Sequence, residues 1–109
     1  MTESIYKDIY EGNSKEAQIK FPFLTKGLHL KVLSAISTTI GIFPLKESFY
    51  VATYQTKKDG FNAIIEETNS LEFINIIMKR ETGNSQWLDN EQLTKVTKFL
   101  EDNNCKYIA

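Results

Sequence analysis

The chain has 109 residues, 41% of them hydrophobic and 12% aromatic, and thirteen basic against fourteen acidic side chains leave a formal charge of -1. Those figures describe one folded domain, residues 1–109, with a single core, and exclude a disordered chain. No apolar run reaches the roughly 18 residues that a membrane-spanning helix needs, so no membrane partner is expected. The N-terminus has neither the basic start nor the apolar stretch of a secretion signal. The one cysteine, Cys105, has no partner for an internal disulfide, and a cytoplasmic protein is expected. Twelve lysines accompany only one arginine, Arg80. The residue best suited to bidentate capture of phosphate is therefore nearly absent.

In chain order, Ser4 to Glu11 sets Ile5 and Ile9, and Tyr6 and Tyr10, one helical turn apart. With Thr2 or Ser4 as cap and Gly12 as stop, the spacing predicts a short helix. Lys15 to Leu24 reads as irregular or as an edge strand because of Pro22. Gly27 to Ile42 fits two patterns. Leu28, Val32, Leu33, Ile36 and Ile40 make a helical stripe, whereas Leu28, Leu30 and Val32 alternate as in a strand. A helix from Leu28 to Thr38 is the expectation taken forward.

Phe49 to Thr56 and Phe61 to Thr68 are aromatic and β-branched runs separated by the turn signal Lys58-Asp59-Gly60, and they predict a hairpin. Asn69-Ser70 reads as a second turn, and Leu71 to Arg80 as a third strand. Residues 81–86 are loop. Asp89 and Gln92 then form a capping pair, with Leu88 and Leu93 as a staple around it. Leu93, Val96, Thr97 and Leu100 continue as the stripe of an amphipathic helix over 89–103. Cys105 to Ala109 suits a short terminal strand. The fold class predicted is α+β: an antiparallel meander of three to four strands, packed with the C-terminal amphipathic helix and one or two N-terminal helices.

Register extends this reading. Pairing Thr56 with Phe61 sets Tyr54 opposite Ala63 and Ala52 opposite Ile65, and opposed residues share a face. One face then collects Tyr50, Ala52, Tyr54, Phe61, Ala63, Ile65, Ile74, Ile76 and Met78. It is assigned to the core beneath the 89–103 helix. The reverse face mixes Val51, Ile64, Phe73 and Ile77 with Thr53, Asn62, Glu66 and Asn75. That face is too apolar to stay fully wet and too polar for a dry core, so either the 28–38 helix covers part of it or a partner does. The candidate binding residues are Val51, Ile64, Phe73 and Ile77, with Trp87 as a rim anchor.

Catalytic constellations are scarce. With one histidine, His29, and one cysteine, no zinc site of ordinary ligand count can be built without carboxylates. Neither a metal nor a cofactor is expected. Cys105 with His29 is the one conceivable nucleophile pair. Glu66 and Glu67 are adjacent, so on a strand they face opposite ways and cannot share one substrate. The glycines make no phosphate-binding loop.

The order strand, strand, strand, helix, from Phe49-Tyr50-Val51 through Leu88-Asp89 to Leu100, is similar in layout to single-strand nucleic-acid-binding families such as the PUR repeat. It covers about half the chain, and no specific motif carries it. The resemblance implies nucleic acid on the free sheet face, helped by Lys57, Lys58, Lys79 and Arg80, although the charge balance opposes it. The leading expectation is a non-enzymatic binding protein of adaptor, chaperone-like or inhibitor type. Its partner would be another protein or a second copy in a homodimer, met through the partly apolar sheet face.

Overall fold

The computed structural model describes residues 6–22, 24, 26–31, 38–57, 60–82 and 90–108. These form an α+β fold, a five-stranded antiparallel sheet with three helices. In chain order the elements are β1 (Tyr6–Gly12), α1 (Ser14–Lys20), β2 (Leu28–Lys31), β3 (Thr38–Pro44), β4 (Phe49–Lys57), β5 (Gly60–Thr68), α2 (Leu71–Thr82) and α3 (Asn90–Asp102). The sheet order is β1-β5-β4-β3-β2. Strands β2 to β5 are thus a continuous meander, and β1 adds to its far side.

The hairpin is as expected, with Thr56 opposite Phe61, Tyr54 opposite Ala63 and Ala52 opposite Ile65. Several other expectations are overturned. Residues Tyr6–Gly12 are an edge strand, not a helix. Ile9 is exposed and Tyr10 buried, the alternation of a strand. Residues Ser14–Lys20 are a helix, opened by Asn13, whose Oδ1 accepts a 2.8 Å hydrogen bond from the Glu16 amide. The span 28–38 contains β2, and β3 follows, so the strand-like alternation of Leu28 and Leu30 prevails. Residues 32–37 lie outside the described part.

The third predicted strand is helix α2. Asn69-Ser70 does not close a hairpin; the Ser70 hydroxyl instead caps the new helix by accepting from the Glu72 amide at 3.2 Å. Leu71, Phe73, Ile74 and Ile77 are buried, a helical spacing, whereas Ile76 is exposed. Helix α3 matches its predicted span, with Val96 and Leu100 buried. Its predicted cap, Asp89 and Leu88, lies outside the described residues. Asn104 ends the helix in the left-handed region (φ 55). The segment beyond it is strapped down: Cys105 Sγ donates to the Ser48 carbonyl at 3.1 Å. The Leu71 amide donates to the Ile108 carbonyl at 2.9 Å, beside an isolated parallel bridge between Ser70 and Ile108.

Apolar residues pack on both sides of the sheet instead of in one core. Leu30, Ile40, Ile42, Phe49 and Val51 pack against Leu71, Phe73, Ile74, Ile77, Val96 and Leu100. Phe43, Ala52, Ala63 and Ile65 pack against Tyr10, Ala17 and Phe21. The α2 and α3 helices therefore cover the face expected to stand free, and the face expected beneath the last helix lies under α1. The cause is the unrecognised strands. β2 and β3 add Leu28, Leu30, Ile40 and Ile42 to the Val51 side and only His29, Lys31, Thr39, Gly41 and Phe43 to the other. Counted over all five strands, the Val51 side is the greasier one, and the two long helices settle there.

Candidate functional site: a hollow between helix α1 and the sheet

β1 and β2 occupy opposite edges of the sheet, so the chain between them must cross its face. Four strand spacings are about 19 Å. The crossing is made by α1 and the turn after it. A seven-residue helix is about 10 Å long and cannot roof that width. The uncovered part is a hollow of about 190 Å³.

Its floor is Ala52, Ala63 and Ile65 of the central strands, and its α1 wall is Ala17, Phe21 and Leu24. Three alanines where larger residues would fit leave the volume. Gly41 contributes on the β2 side: a Cβ there would lie 2.7 Å from the Phe43 ring and 3.2 Å from His29 Nδ1. The far wall is an aromatic group. His29 stands edge-on to Phe43 (5.6 Å, 81°) and to Tyr54 (5.9 Å, 81°). The Tyr54 hydroxyl and His29 Nδ1 are hydrogen-bonded at 2.8 Å. Burial pushes the Tyr54 phenol above its ordinary value, so it is neutral around pH 7.

The surrounding elements are cationic. Residues 14–31 carry Lys15, Lys20, Lys26 and Lys31 against Glu16 alone. All four lysines are exposed. Lys20 Nζ lies 5.4 Å from the Tyr10 ring centroid and 5.2 Å from that of Phe21, within cation–π reach. Ile19, on the same helix, is 80% exposed.

The residues singled out from sequence fall elsewhere. Val51, Phe73 and Ile77 are buried between sheet and α2/α3, so they form no surface. Ile64 is half-buried and lines a second hollow of about 220 Å³ with Ile9, Thr53 and Gln55. The Thr53 hydroxyl there is buried without a hydrogen-bond partner. Trp87 and Lys58 lie outside the described residues, as does the Lys57 side chain. Lys79 and Arg80 are exposed in the last turn of α2, but the Arg80 guanidinium bonds the buried Glu66 carboxylate at 2.7 Å. Cys105 packs with α2 and α3 while His29 belongs to the α1 side, so the sheet separates the conceivable dyad. Glu66 and Glu67 do face opposite ways, Glu67 accepting from the Ser48 hydroxyl at 2.6 Å.

Among the described residues no cluster of three His, Cys, Asp or Glu side chains is placed to hold a metal ion. No described helix is long and apolar enough to cross a membrane. The architecture defines a class only: a five-stranded antiparallel sheet crossed on one face by a short helix and sealed on the other by two longer ones. No family model, curated protein or solved structure matches the chain.

Proposed function

We propose that this is a non-catalytic binding protein, and that it takes a bulky apolar side chain of a protein partner into the hollow between α1 and the sheet. The observation that carries the reading is the hollow itself, apolar in floor and wall and flanked by a lysine-rich segment. An aromatic or branched aliphatic side chain fits about 190 Å³. Acidic residues beside that side chain would meet Lys15, Lys20, Lys26 and Lys31, which favours fast, salt-dependent encounter. The His29–Tyr54 pair supplies orientation: the Tyr54 hydroxyl and His29 Nδ1 hold each other at 2.8 Å, and Thr39, opposite Tyr54 on β3, also hydrogen-bonds to the phenol.

The test is capture from a host extract with three immobilised proteins: the natural chain, Ala63→Leu, which fills the hollow, and Lys95→Glu on the exposed face of α3. A partner held by the natural chain and Lys95→Glu but lost by Ala63→Leu, at unchanged melting temperature, is expected. Equal capture by all three would sink the proposal. An oligonucleotide bound at low salt and insensitive to Ala63→Leu would instead favour the nucleic-acid reading.

A further inference from the structure

We infer that β1 is a dimerisation strand, which joins two copies edge to edge into a continuous ten-stranded sheet about a two-fold axis through Ile9. Among the described residues β1 and β2 are the outer strands of the sheet, and β1 pairs on one side only, with β5. Which of its groups face outward follows from the hairpin. The two-residue connection between Lys57 and Gly60 makes that pair hydrogen-bonded, and alternation makes Gln55–Asn62, Thr53–Ile64 and Val51–Glu66 hydrogen-bonded too. The Leu45 amide bonded to the Ser48 carbonyl fixes the same parity from the β3 side. Residues 61, 63, 65 and 67 therefore bond toward β1, where they meet residues 12, 10, 8 and 6. The amides and carbonyls of residues 7, 9 and 11 are left pointing out of the edge.

Those three positions complement themselves. An antiparallel copy centred on Ile9 sets residue 9 opposite its twin and residue 7, a lysine, opposite residue 11, a glutamate, twice over. All three are outward-bonding positions, so about six new backbone hydrogen bonds form without disturbing β5. Ile9 is also the midpoint of Tyr6–Gly12, so the whole strand is used. Outside such a dimer Ile9 stays a large apolar side chain 69% exposed on a sheet edge, the place where an unpaired strand invites another. Inside it, Ile64, Ile9 and their two twins lie in one row across the axis, because directly opposed residues share a face. A register shifted by two residues would lose the lysine–glutamate match, and one shifted by a single residue would oppose inward-bonding groups. β2 lacks these features, since it spans only four residues and turns Lys31 to solvent.

The full-length chain should sediment as a concentration-dependent dimer. Ile9→Pro removes only an outward amide, and Ile9→Lys sets two cations against each other; each should give a monomer with an unchanged circular dichroism spectrum. Register is tested with Ile9→Cys and Glu11→Cys under copper–phenanthroline, the oxidant that removes two electrons and two protons as the disulfide forms. Paired residues at the axis lie about 5.5 Å apart, within disulfide reach. Residue 11 lies about 14 Å from its twin, beyond it. The natural chain is the control, its own Cys105 being buried. Efficient linking of Ile9→Cys alone is expected. A monomer at all concentrations, a dimer that survives both Ile9 variants, or linking at position 11 would overturn the assignment.

Discussion

The face under α2 and α3 and the face under α1 are built from alternate residues of the same five strands, yet they are finished differently. Twenty-five helical residues, twelve in α2 and thirteen in α3, lie on the first. Seven lie on the second. On the first face the large side chains Phe49, Ile42, Ile74, Ile77 and Leu100 are fully enclosed. Even a carboxylate, Glu66, is tolerated there because Arg80 reaches in to it. On the second, alanines replace large residues at the centre and a hollow remains. The comparison teaches that stability and recognition can be divided between two sides of one sheet. The side with surplus helix holds the fold, so the side with too little helix is free to be incomplete.

The largest expected effect separates the two sides directly. Ile74→Ala, in the enclosed layer, should cost about 4 kcal/mol, toward the upper end for removal of a large buried aliphatic side chain. Ile65→Ala removes the same atoms from the buried floor of an existing hollow, where the enlarged space opens to water, and should cost about 2 kcal/mol. Urea unfolding with a common m-value measures both. Equal losses would mean that the α1 side is as tightly sealed as the other.

A smaller effect probes Glu66, the one buried charge among the described residues. Arg80→Ala leaves the Glu66 carboxylate, 3% exposed, without its guanidinium and should cost about 1–3 kcal/mol. Adding Glu66→Gln to that variant should recover part of the loss, since a neutral amide is cheaper to bury than a lone carboxylate. A double variant no more stable than Arg80→Ala alone would show that Arg80 acts through packing of its stem and not through its charge.

How much of this was legible before the structure depends on which signals were local. The hairpin register was readable because two β-branched runs flank a two-residue turn, and α3 because its apolar stripe has helical spacing. Helix α1 was also signalled, by Asn13 with Glu16 three residues on, but Pro22 drew the reading toward an edge strand. Helix α2 was hidden by composition. Ile74, Asn75, Ile76 and Ile77 have poor helix propensity and satisfy a strand alternation as readily as a helical stripe, and packing against Val96 and Leu100 decides between them. The site was not legible at all. The hollow exists only because residues from α1, β2, β3, β4 and β5 meet, and the face it occupies could be assigned only after β2 and β3 were known to be strands.

The smallest effect is a pH dependence in which each side of the sheet contributes its own step. Cys105 belongs to the enclosed layer, and burial pushes its thiol above the ordinary 9.0, with a backbone hydrogen bond at Leu45 pulling partly the other way. Tyr54 belongs to the hollow, and burial pushes its phenol above 10.0. In both cases the folded protein holds the proton more tightly than the unfolded chain does. Stability is therefore whole below the unfolded value and falls as pH rises past it toward the folded one. The thiol begins to act near pH 9 and the phenol about one unit later. Tyr10, raised by burial and by Glu16, and Tyr107, raised chiefly by its hydrogen bond to Glu101, share the upper window. Tyr54→Phe should thus reduce the slope above pH 10 without abolishing it, whereas Cys105→Ala should flatten the interval from about pH 9 to 10. Melting temperatures across that range read both. A slope near pH 9.5 unchanged by Cys105→Ala would mean that the strap from Asn103 to Ile108 leaves the thiol open to water, and with it one border of the layer that is argued to be dry.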